Sequence, residues 1–251
     1  MKRIILLLNL VAFTSFGQRS DPDQISTKTG SISIQPILHG TVALQWNNKM
    51  IFVDPYGGAK AFDGIQSADL VLITDIHGDH MNLETLNALD LSKAIIVAPK
   101  AVEVKLPENL KTKTVILGNG EKIQQLGISI TAIPMYNLPE TDDSRHTKGR
   151  GNGYIIDLGG KRIYFTGDTE DIPEMRSLKN IDVAFVCMNQ PFTMDIDQAS
   201  SAVLEFKPKI VYPYHYRGQG GLSDVEAFKK MVNEGDQKIE VRLRNWYPTY
   251  E

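Results

Sequence analysis

The chain has 251 residues, of which 42% are hydrophobic and 23% are charged, so it can form one large globular domain and shows no bias towards disorder. Its formal net charge of −3, with no basic segment to compensate, argues against a nucleic-acid partner. The single cysteine, Cys187, excludes an internal disulfide, and its apolar neighbours predict a buried thiol.

The first residues have the features of a secretory signal peptide. Lys2 and Arg3 are followed by an interrupted apolar run and then by Ser15 and Gly17, the small residues of a cleavage site. A membrane anchor or a buried first helix is the alternative, but the run is shorter than the roughly 20 residues that span a bilayer. We therefore predict a signal peptide at 1–17 and a secreted or periplasmic protein with no membrane span after cleavage. Cleavage would leave 25 basic and 30 acidic side chains, a net charge of −5.

Residues 18–30 are polar and rich in turn formers, which is typical of a flexible tether, and 31–251 is predicted to form one domain. Strands are predicted in its first half at 32–37, 41–46, 50–53, 70–73, 94–98, 114–117 and 128–133, with a helix after residue 80. In its second half we predict strands at 154–158, 162–165, 181–188, 210–214 and 239–243, and helices at 195–206 and 223–232. A two-residue hairpin is expected at Gly159 and Gly160, and a cap on the last helix at Ser223. The pattern favours an α/β protein with two mixed sheets packed face to face and helices outside.

The densest group of potential metal ligands directly follows the predicted buried strand at 70–73. These side chains fall within six positions: Asp75, His77, Asp79 and His80. Gly78 is expected to let this loop fold inward, and a mixture of imidazole and carboxylate suits zinc, iron or manganese. The alternative is a helix N-terminus that Asp79 caps, with the histidines exposed.

More ligand-type residues stand beyond this loop. Asp168 and His215 each follow a predicted strand, and His146 lies in a polar loop before the glycine hairpin. Residues that leave the carboxyl ends of strands are well placed to converge on one cleft. The sequence therefore predicts that four of the five histidines contribute to a single metal centre.

The order of these motifs resembles the metallo-β-lactamase superfamily. The segment 75–80 is similar to its His-x-His-x-Asp-His signature, Asp168 in Gly-Asp-Thr to its metal-bridging aspartate, and His215 to its last histidine ligand. Asp54 resembles its early aspartate, which supports the ligand loop, and the segment around His39 is similar to the branch that contains ascorbate-6-phosphate lactonases. The resemblance covers essentially the whole mature chain and implies an αββα four-layer sandwich of two mixed β-sheets flanked by helices.

The resemblance also implies a two-metal hydrolytic centre. Its ligands form two sets that share Asp168 as a bridge: Asp75, His77 and His146 for one cation, and Asp79, His80 and His215 for the other. Zn2+ is the expected metal, but Asp75 stands where the family has a histidine, which would make the first site more anionic and admit Mn2+ or Fe. A metal-activated hydroxide would cleave an ester, lactone or phosphoester bond, with catalytic roles for Asp79 and His215.

Residues around the centre would select the substrate, for which we expect a small molecule that carries negative charge. Tyr136, Asn137 and Arg217 are the candidates, and each could equally be an ordinary polar loop residue. The segment 148–151 is either an anion-binding loop or a solvated turn. His39 is left out of the ligand set because a hydrogen bond near the metals and a core position suit it equally well.

Two other functions stay open on the sequence. The same fold holds iron centres in relatives that transfer electrons or use oxygen, and the additional carboxylate of Asp75 favours this alternative. A non-catalytic metal-binding protein is the other, but degeneration removes ligands, and every implied position holds a ligand-capable residue. Nothing in the sequence favours β-lactams over other substrates, and it predicts no oligomeric state.

Overall fold

The computed structural model describes residues 19–249, so the predicted signal peptide at 1–17 lies outside the described residues. The first part of the chain forms a seven-stranded mixed sheet in which spatial order follows chain order. Its strands are β1 (Asp23–Thr27), β2 (Gly30–Pro36), β3 (Val42–Trp46), β4 (Lys49–Val53), β5 (Leu70–Leu72), β6 (Ile95–Ala98) and β7 (Thr114–Ile116). Neighbours from β1 to β4 pair antiparallel, and neighbours from β4 to β7 pair parallel.

The second part repeats this division in another seven-stranded sheet. Its strands, together with the short ribbon β14–β15 that stands apart from it, are β8 (Lys122–Gln125), β9 (Ile128–Met135), β10 (Gly151–Leu158), β11 (Lys161–Phe165), β12 (Val183–Cys187), β13 (Ile210–Tyr214), β14 (Arg217–Gly218), β15 (Gly221–Leu222) and β16 (Glu240–Val241). Neighbours from β8 to β11 pair antiparallel, whereas β11, β12, β13 and β16 run parallel. The predicted hairpin joins β10 to β11, and Gly159 and Gly160 both have the positive φ that this turn requires (60° and 79°).

Helices lie on the outer faces of the two sheets. They are α1 (Leu83–Ala88), α2 (Lys100–Glu103), α3 (Glu108–Lys111), α4 (Pro173–Arg176), α5 (Ile196–Phe206) and α6 (Val225–Gly235). Leu72 of β5 belongs to a core cluster with Tyr154 of the second sheet, while its neighbour Val71 packs in a separate cluster with Leu86 of α1 and Val102 of α2. Because β5 is buried on both faces, its sequence is a continuous apolar run. The αββα four-layer sandwich predicted from the sequence is confirmed.

The two helices predicted in the second half are present as α5 and α6, but the cap of α6 differs. Asp224, rather than Ser223, accepts the backbone N–H of Ala227 (2.9 Å). The Ser223 hydroxyl donates instead to the carbonyl of Met188, and this contact takes it out of the capping position. Within residues 19–249, no helix combines the length and the apolar character needed to cross a bilayer.

The prediction of a flexible tether at 18–30 is wrong where the chain forms β1. This strand pairs with β2 along its whole length, and Ile25 is buried in the core. The carboxylate of Asp23 accepts hydrogen bonds from Tyr212 (2.7 Å) and Arg244 (2.8 Å). Sequence reasoning missed the strand because a single apolar side chain marks it and its anchoring partners lie near the far end of the chain.

Contacts between the sheets bring the ends of β5 and β11 together. The backbone N–H of Asn152 on β10 donates to the carbonyl of Thr74 just past β5 (2.9 Å), and the buried hydroxyl of Tyr154 donates to Ile73 (2.9 Å). Gly153 leaves no space there, since a Cβ at this position would lie 2.8 Å from the carbonyl oxygen of Thr166. The loops that leave β5 and β11 therefore meet at one edge of the sandwich.

Candidate metal centre

A buried aspartate organises the loop that follows β5. Asp54, just past β4, accepts the backbone N–H (2.8 Å) and the hydroxyl (2.6 Å) of Thr74, and its Oδ2 lies 2.8 Å from Nδ1 of His80. Because an ionised carboxylate can only accept, His80 carries a proton on Nδ1 and its Nε2 is left for the centre. This is the supporting role that the resemblance implied for Asp54.

The second ligand set closes around Nε2 of His80. This atom lies 3.2 Å from Nε2 of His215 and 3.3 Å from Oδ2 of Asp168. Nε2 of His215 lies in turn 3.4 Å from Oδ1 of Asp168 and 3.3 Å from Oδ2 of Asp79. His80, His215 and Asp168 are buried, whereas 33% of the Asp79 side chain is exposed. The structure thus brings together the residues implied for the second cation and the bridge.

The first ligand set meets the second at Asp168, whose Oδ2 lies 3.2 Å from Nε2 of His146. Oδ2 of Asp75 lies 2.7 Å from Nδ1 of His77. One ligand atom from each of Asp75, His77 and His146 falls within 4.8 Å of the others. Asn137 fixes His146, because its Oδ1 accepts both the backbone N–H (2.8 Å) and Nδ1 (3.0 Å) of that residue. Nε2 of His146 is therefore free to face Asp168.

Several buried atoms of this cluster make no well-directed hydrogen bond within the described residues, although some lie in ion-pair contact with other side chains of the cluster. They are Nδ1 of His77, Nε2 of His146, Oδ1 of Asp168 and Nδ1 of His215. Buried polar atoms are normally satisfied, and a tetrahedral cation with bonds of about 2.0–2.2 Å separates its ligand atoms by about 3.4 Å. The spacings of 3.2–3.4 Å around His80 and His215 match that value. Imidazole and carboxylate donors in this arrangement fit divalent cations.

Comparison with known proteins identifies the family. The profile of the β-lactamase superfamily domain matches residues 33–215, a range that contains every residue of the cluster. The chain belongs to the metallo-β-lactamase superfamily. A metal-dependent hydrolase from Thermococcus onnurineus is 33% identical over 204 residues, which cover 76% of this chain and 88% of that protein. The superfamily and its relatives make this chain a metal-dependent hydrolase.

Solved structures agree with this assignment. A crystal structure named as a metal-dependent hydrolase from Parabacteroides distasonis is 38% identical, with a TM-score of 0.79, and the match covers 89% of this chain and 98% of that chain. The metallo hydrolase Igni18 from Ignicoccus hospitalis shares the fold, with a TM-score of 0.71 at 24% identity, over 86% of this chain and 95% of the other.

In this hydrolase Asp75 is paired with an arginine. Its fully buried carboxylate accepts from Nε (3.1 Å, to Oδ1) and Nη2 (3.0 Å, to Oδ2) of Arg150. The expectation that Asp75 makes the first site more anionic is wrong, because the guanidinium balances the additional negative charge. Arg150 therefore binds an aspartate of its own chain, an arrangement that differs from both sequence interpretations of the segment 148–151.

His39 lies at the centre although the sequence prediction left it out. Its Nε2 is 3.3 Å from Oδ2 of Asp79, and together with Asp79 and His215 it forms a further group of potential ligands. Its Nδ1 lies 2.9 Å from the hydroxyl of Tyr247. Of the two positions that the sequence left open for His39, the structure has the one near the metal ligands. The signal that pointed to it was the resemblance of its segment to the lactonase branch.

The other candidates for substrate contacts divide into two groups. Tyr136 is buried and donates its hydroxyl to Glu174 (2.8 Å), and the ammonium of Lys148 lies 2.9 Å from the same carboxylate. These side chains satisfy one another, and like Asn137 they support the loops around the centre. Arg217 is exposed, and its guanidinium carbon lies 4.0 Å above the ring of Tyr247.

Burial and neighbouring charges set the protonation of the metal-free centre. Burial alone would lower the pKa of His80, but Asp168 and Asp54 outweigh it and hold this pKa well above its usual range. Burial alone would raise the pKa of Asp168, but His215 and His80 hold it well below its usual range. Burial brings the pKa of His39 down to about 4. A cation that binds at neutral pH therefore displaces a proton from His80.

Proposed function

We propose that this hydrolase uses two divalent cations, Zn2+ first among them, to hydrolyse an ester, lactone or phosphoester bond of an anionic small molecule. The observation that carries the proposal is the meeting of the two ligand sets at Asp168, whose Oδ2 lies 3.3 Å from His80 and 3.2 Å from His146. A carboxylate between two groups of imidazoles is suited to bridge a pair of cations. Such a pair lowers the pKa of a water molecule and polarises the bond under attack.

Asp79 and His215 are the residues that we place in catalytic roles. Asp79 is the most exposed of the implied ligands, and its Oδ2 lies 3.3 Å from Nε2 of both His39 and His215. A partly exposed, ionised carboxylate can hold the proton of an attacking water and pass it to the leaving group. The buried His215 keeps this carboxylate at the centre, since the two side chains are in direct contact.

Arg217 supports an anionic substrate. Its guanidinium stacks on Tyr247, and no carboxylate of residues 19–249 lies within ion-pair distance of it. The hydroxyl of Tyr247 contacts His39, which in turn contacts the exposed Asp79. A cation that is held in place by stacking but not neutralised is well suited to bind a carboxylate or phosphate of the substrate.

Metal analysis tests the binuclear centre. We expect the purified mature protein to hold close to two equivalents of divalent metal and an Asp168→Ala variant to lose most of it. Asp143→Ala is the matched control, because Asp143 is exposed and has no ion pair in the described chain. Wild-type protein that takes up no metal from Zn2+ or Mn2+ would contradict the proposal, as would bound iron that consumes oxygen in place of hydrolysis.

Paired substrates test the anionic preference. Esters, lactones and phosphodiesters are compared with and without an additional carboxylate. Arg217→Ala should raise KM for the charged member of a pair at least about tenfold and leave the neutral member unchanged, since one ion pair is lost. Lys105→Ala, which removes an exposed charge elsewhere, should change neither value. Equal effects of Arg217→Ala on both members would show that it does not select for charge.

We also propose that the protein is exported, on the strength of its N-terminal pattern at 1–17. N-terminal sequencing of protein recovered from outside the cytoplasm should then begin at Gln18. Full-length protein that keeps its first residue and stays in the cytoplasm would contradict export and would leave the hydrolytic proposal untouched.

A further inference from the structure

The carboxylates of the first ligand set and those of the second set and the bridge differ in how their charge is neutralised. Asp75 is fully buried and gives both of its oxygens to one guanidinium, that of Arg150. Within residues 19–249, Asp79 and Asp168 have no such partner, because their ion-pair contacts there are with histidines alone. Each Asp79 or Asp168 charge is thus available to a cation, whereas the Asp75 charge is already balanced.

The guanidinium of Arg150 also contacts Oδ2 of Asp75, the oxygen that faces His77 and would bind a cation. Oδ2 of Asp75, which accepts from Nη2 at 3.0 Å, is the same oxygen that lies 2.7 Å from Nδ1 of His77. A cation shared by Asp75 and His77 would therefore bind next to a fixed positive charge. A like unit charge about 5 Å away weakens the binding of a divalent cation roughly 15-fold at the dielectric constant of water and roughly 10⁵-fold at an effective value near 20.

We propose that Arg150 is a resident counter-ion that competes with metal for Asp75, so that the site of Asp79, His80 and His215 fills first and the site of Asp75, His77 and His146 fills last and more weakly. The inference rests on the proposed two-metal function. It makes occupancy of the first site depend on the supply of metal, and it assigns that dependence to a single residue.

Calorimetric titration of the metal-free protein with Zn2+ tests this order of filling without any assay of activity. The wild type should show two classes of site that differ in affinity at least about tenfold. Arg150→Met should strengthen the weaker class at least about tenfold, whereas Arg150→Lys, which keeps the charge, should leave it near the wild-type value. Lys105→Met is the matched control, since Lys105 is exposed, lies outside both ligand sets and should not affect either class.

A second pair of variants avoids an unpaired buried carboxylate, which could prevent Arg150→Met from folding. Asp75→Asn alone leaves the guanidinium without its partner and should weaken the weaker class below its wild-type affinity. Asp75→Asn combined with Arg150→Met removes both charges and should bind at least about tenfold more tightly than Asp75→Asn.

Each outcome decides one question. Two wild-type sites of equal affinity, a weaker class that Arg150→Met leaves unchanged or weakens, or a double variant no better than Asp75→Asn would overturn the competition. Arg150→Lys that matches Arg150→Met would overturn it too, because the charge would not be responsible. A wild type that binds no metal would instead contradict the proposed function.

Discussion

The imidazole of His39 packs against that of His215, with ring centroids 3.8 Å apart. Both residues have left-handed backbone conformations, with φ of 58° and 47°, and the N–H of His215 donates to the carbonyl of His39 (3.0 Å). Non-glycine residues adopt this conformation at a cost, and it persists where the surroundings enforce it. The loop that carries His39 therefore fixes the position of the last histidine of the centre.

The first prediction concerns Gly40 in that loop. A Cβ at this position would lie 2.8 Å from Cδ2 of His215, which is too close, so Gly40→Ala must displace the ring. We expect metal affinity to fall about tenfold or more and the free energy of unfolding to fall by about 1–3 kcal/mol. Calorimetric metal titration and denaturant unfolding measure the two effects.

Gly78→Ala is the matched control for this prediction. Gly78 has open space around its Cβ position and no positive φ, although the sequence suggested that it frees the ligand loop. We expect neither metal affinity nor stability to change by more than about 0.5 kcal/mol. Equal losses in both variants would show that the contact between Gly40 and His215 does not set the affinity.

The second prediction concerns Asp54, which accepts from Thr74 and from His80. Asp54→Asn keeps the size of the side chain but turns an amide NH2 towards these donors. We expect the free energy of unfolding to fall by about 1–3 kcal/mol and metal affinity to fall about 10–100-fold, because His80 loses its orienting partner. Asp63→Asn, at an exposed aspartate, should leave both values unchanged. Full metal affinity in Asp54→Asn would mean that packing alone holds His80.

The third prediction concerns Asn137, which accepts from the backbone and ring of His146 and donates to the carbonyl of Phe192 (2.9 Å). Asn137→Ala frees the imidazole to rotate, so metal affinity should fall about 10–100-fold. The loss should be confined to the weaker class of sites in a Zn2+ titration, since His146 belongs to the first ligand set. Asn109→Ala, an exposed control, should have no effect. A loss in the stronger class would place His146 in the wrong set.

The fourth prediction concerns pH. The raised pKa of His80 means that its folded form favours the proton, so its contribution to stability is complete below about pH 6.5 and is lost as pH rises through the folded pKa. The melting temperature of metal-free protein should therefore fall between about pH 6.5 and pH 8.5. His39, whose pKa of about 4 in the folded protein lies below its ordinary value of 6.5, opposes this slope near pH 6.5 and adds almost none above about pH 7.5.

Metal should reverse the sign of this dependence. Because a bound cation needs Nε2 of His80 without its proton, the increase in melting temperature on addition of Zn2+ should grow as pH rises. Thermal melts across about pH 5.5–8.5, with and without Zn2+, measure both slopes. A metal-free melting temperature that rises between about pH 7.5 and pH 8.5 would contradict the protonated state of His80.

Most strands and helices could be predicted from the sequence because patterns of neighbouring residues specify them. A continuous apolar run predicted β5, the alternating segments predicted β9, and the glycine pair predicted the hairpin between β10 and β11. β1 and the half-exposed β8 escaped because their sequences, DQIST and KIQQ, carry one apolar residue each. What stabilises these strands is pairing with neighbours, which no local pattern reports.

The sequence by itself determined which histidines and aspartates follow the ends of strands, because each strand and the ligand residues after it are neighbours along the chain. The closeness of Asp75 to Arg150 and of His39 to His215 was decided by the tertiary structure, because these residues are separated by 75 and by 176 positions and meet only when the two sheets pack. The net charge of a site includes every charged group that lies close to it in space, whatever the separation of these groups along the chain. A single ligand exchange in the sequence therefore predicted an anionic first site that the folded chain had already neutralised.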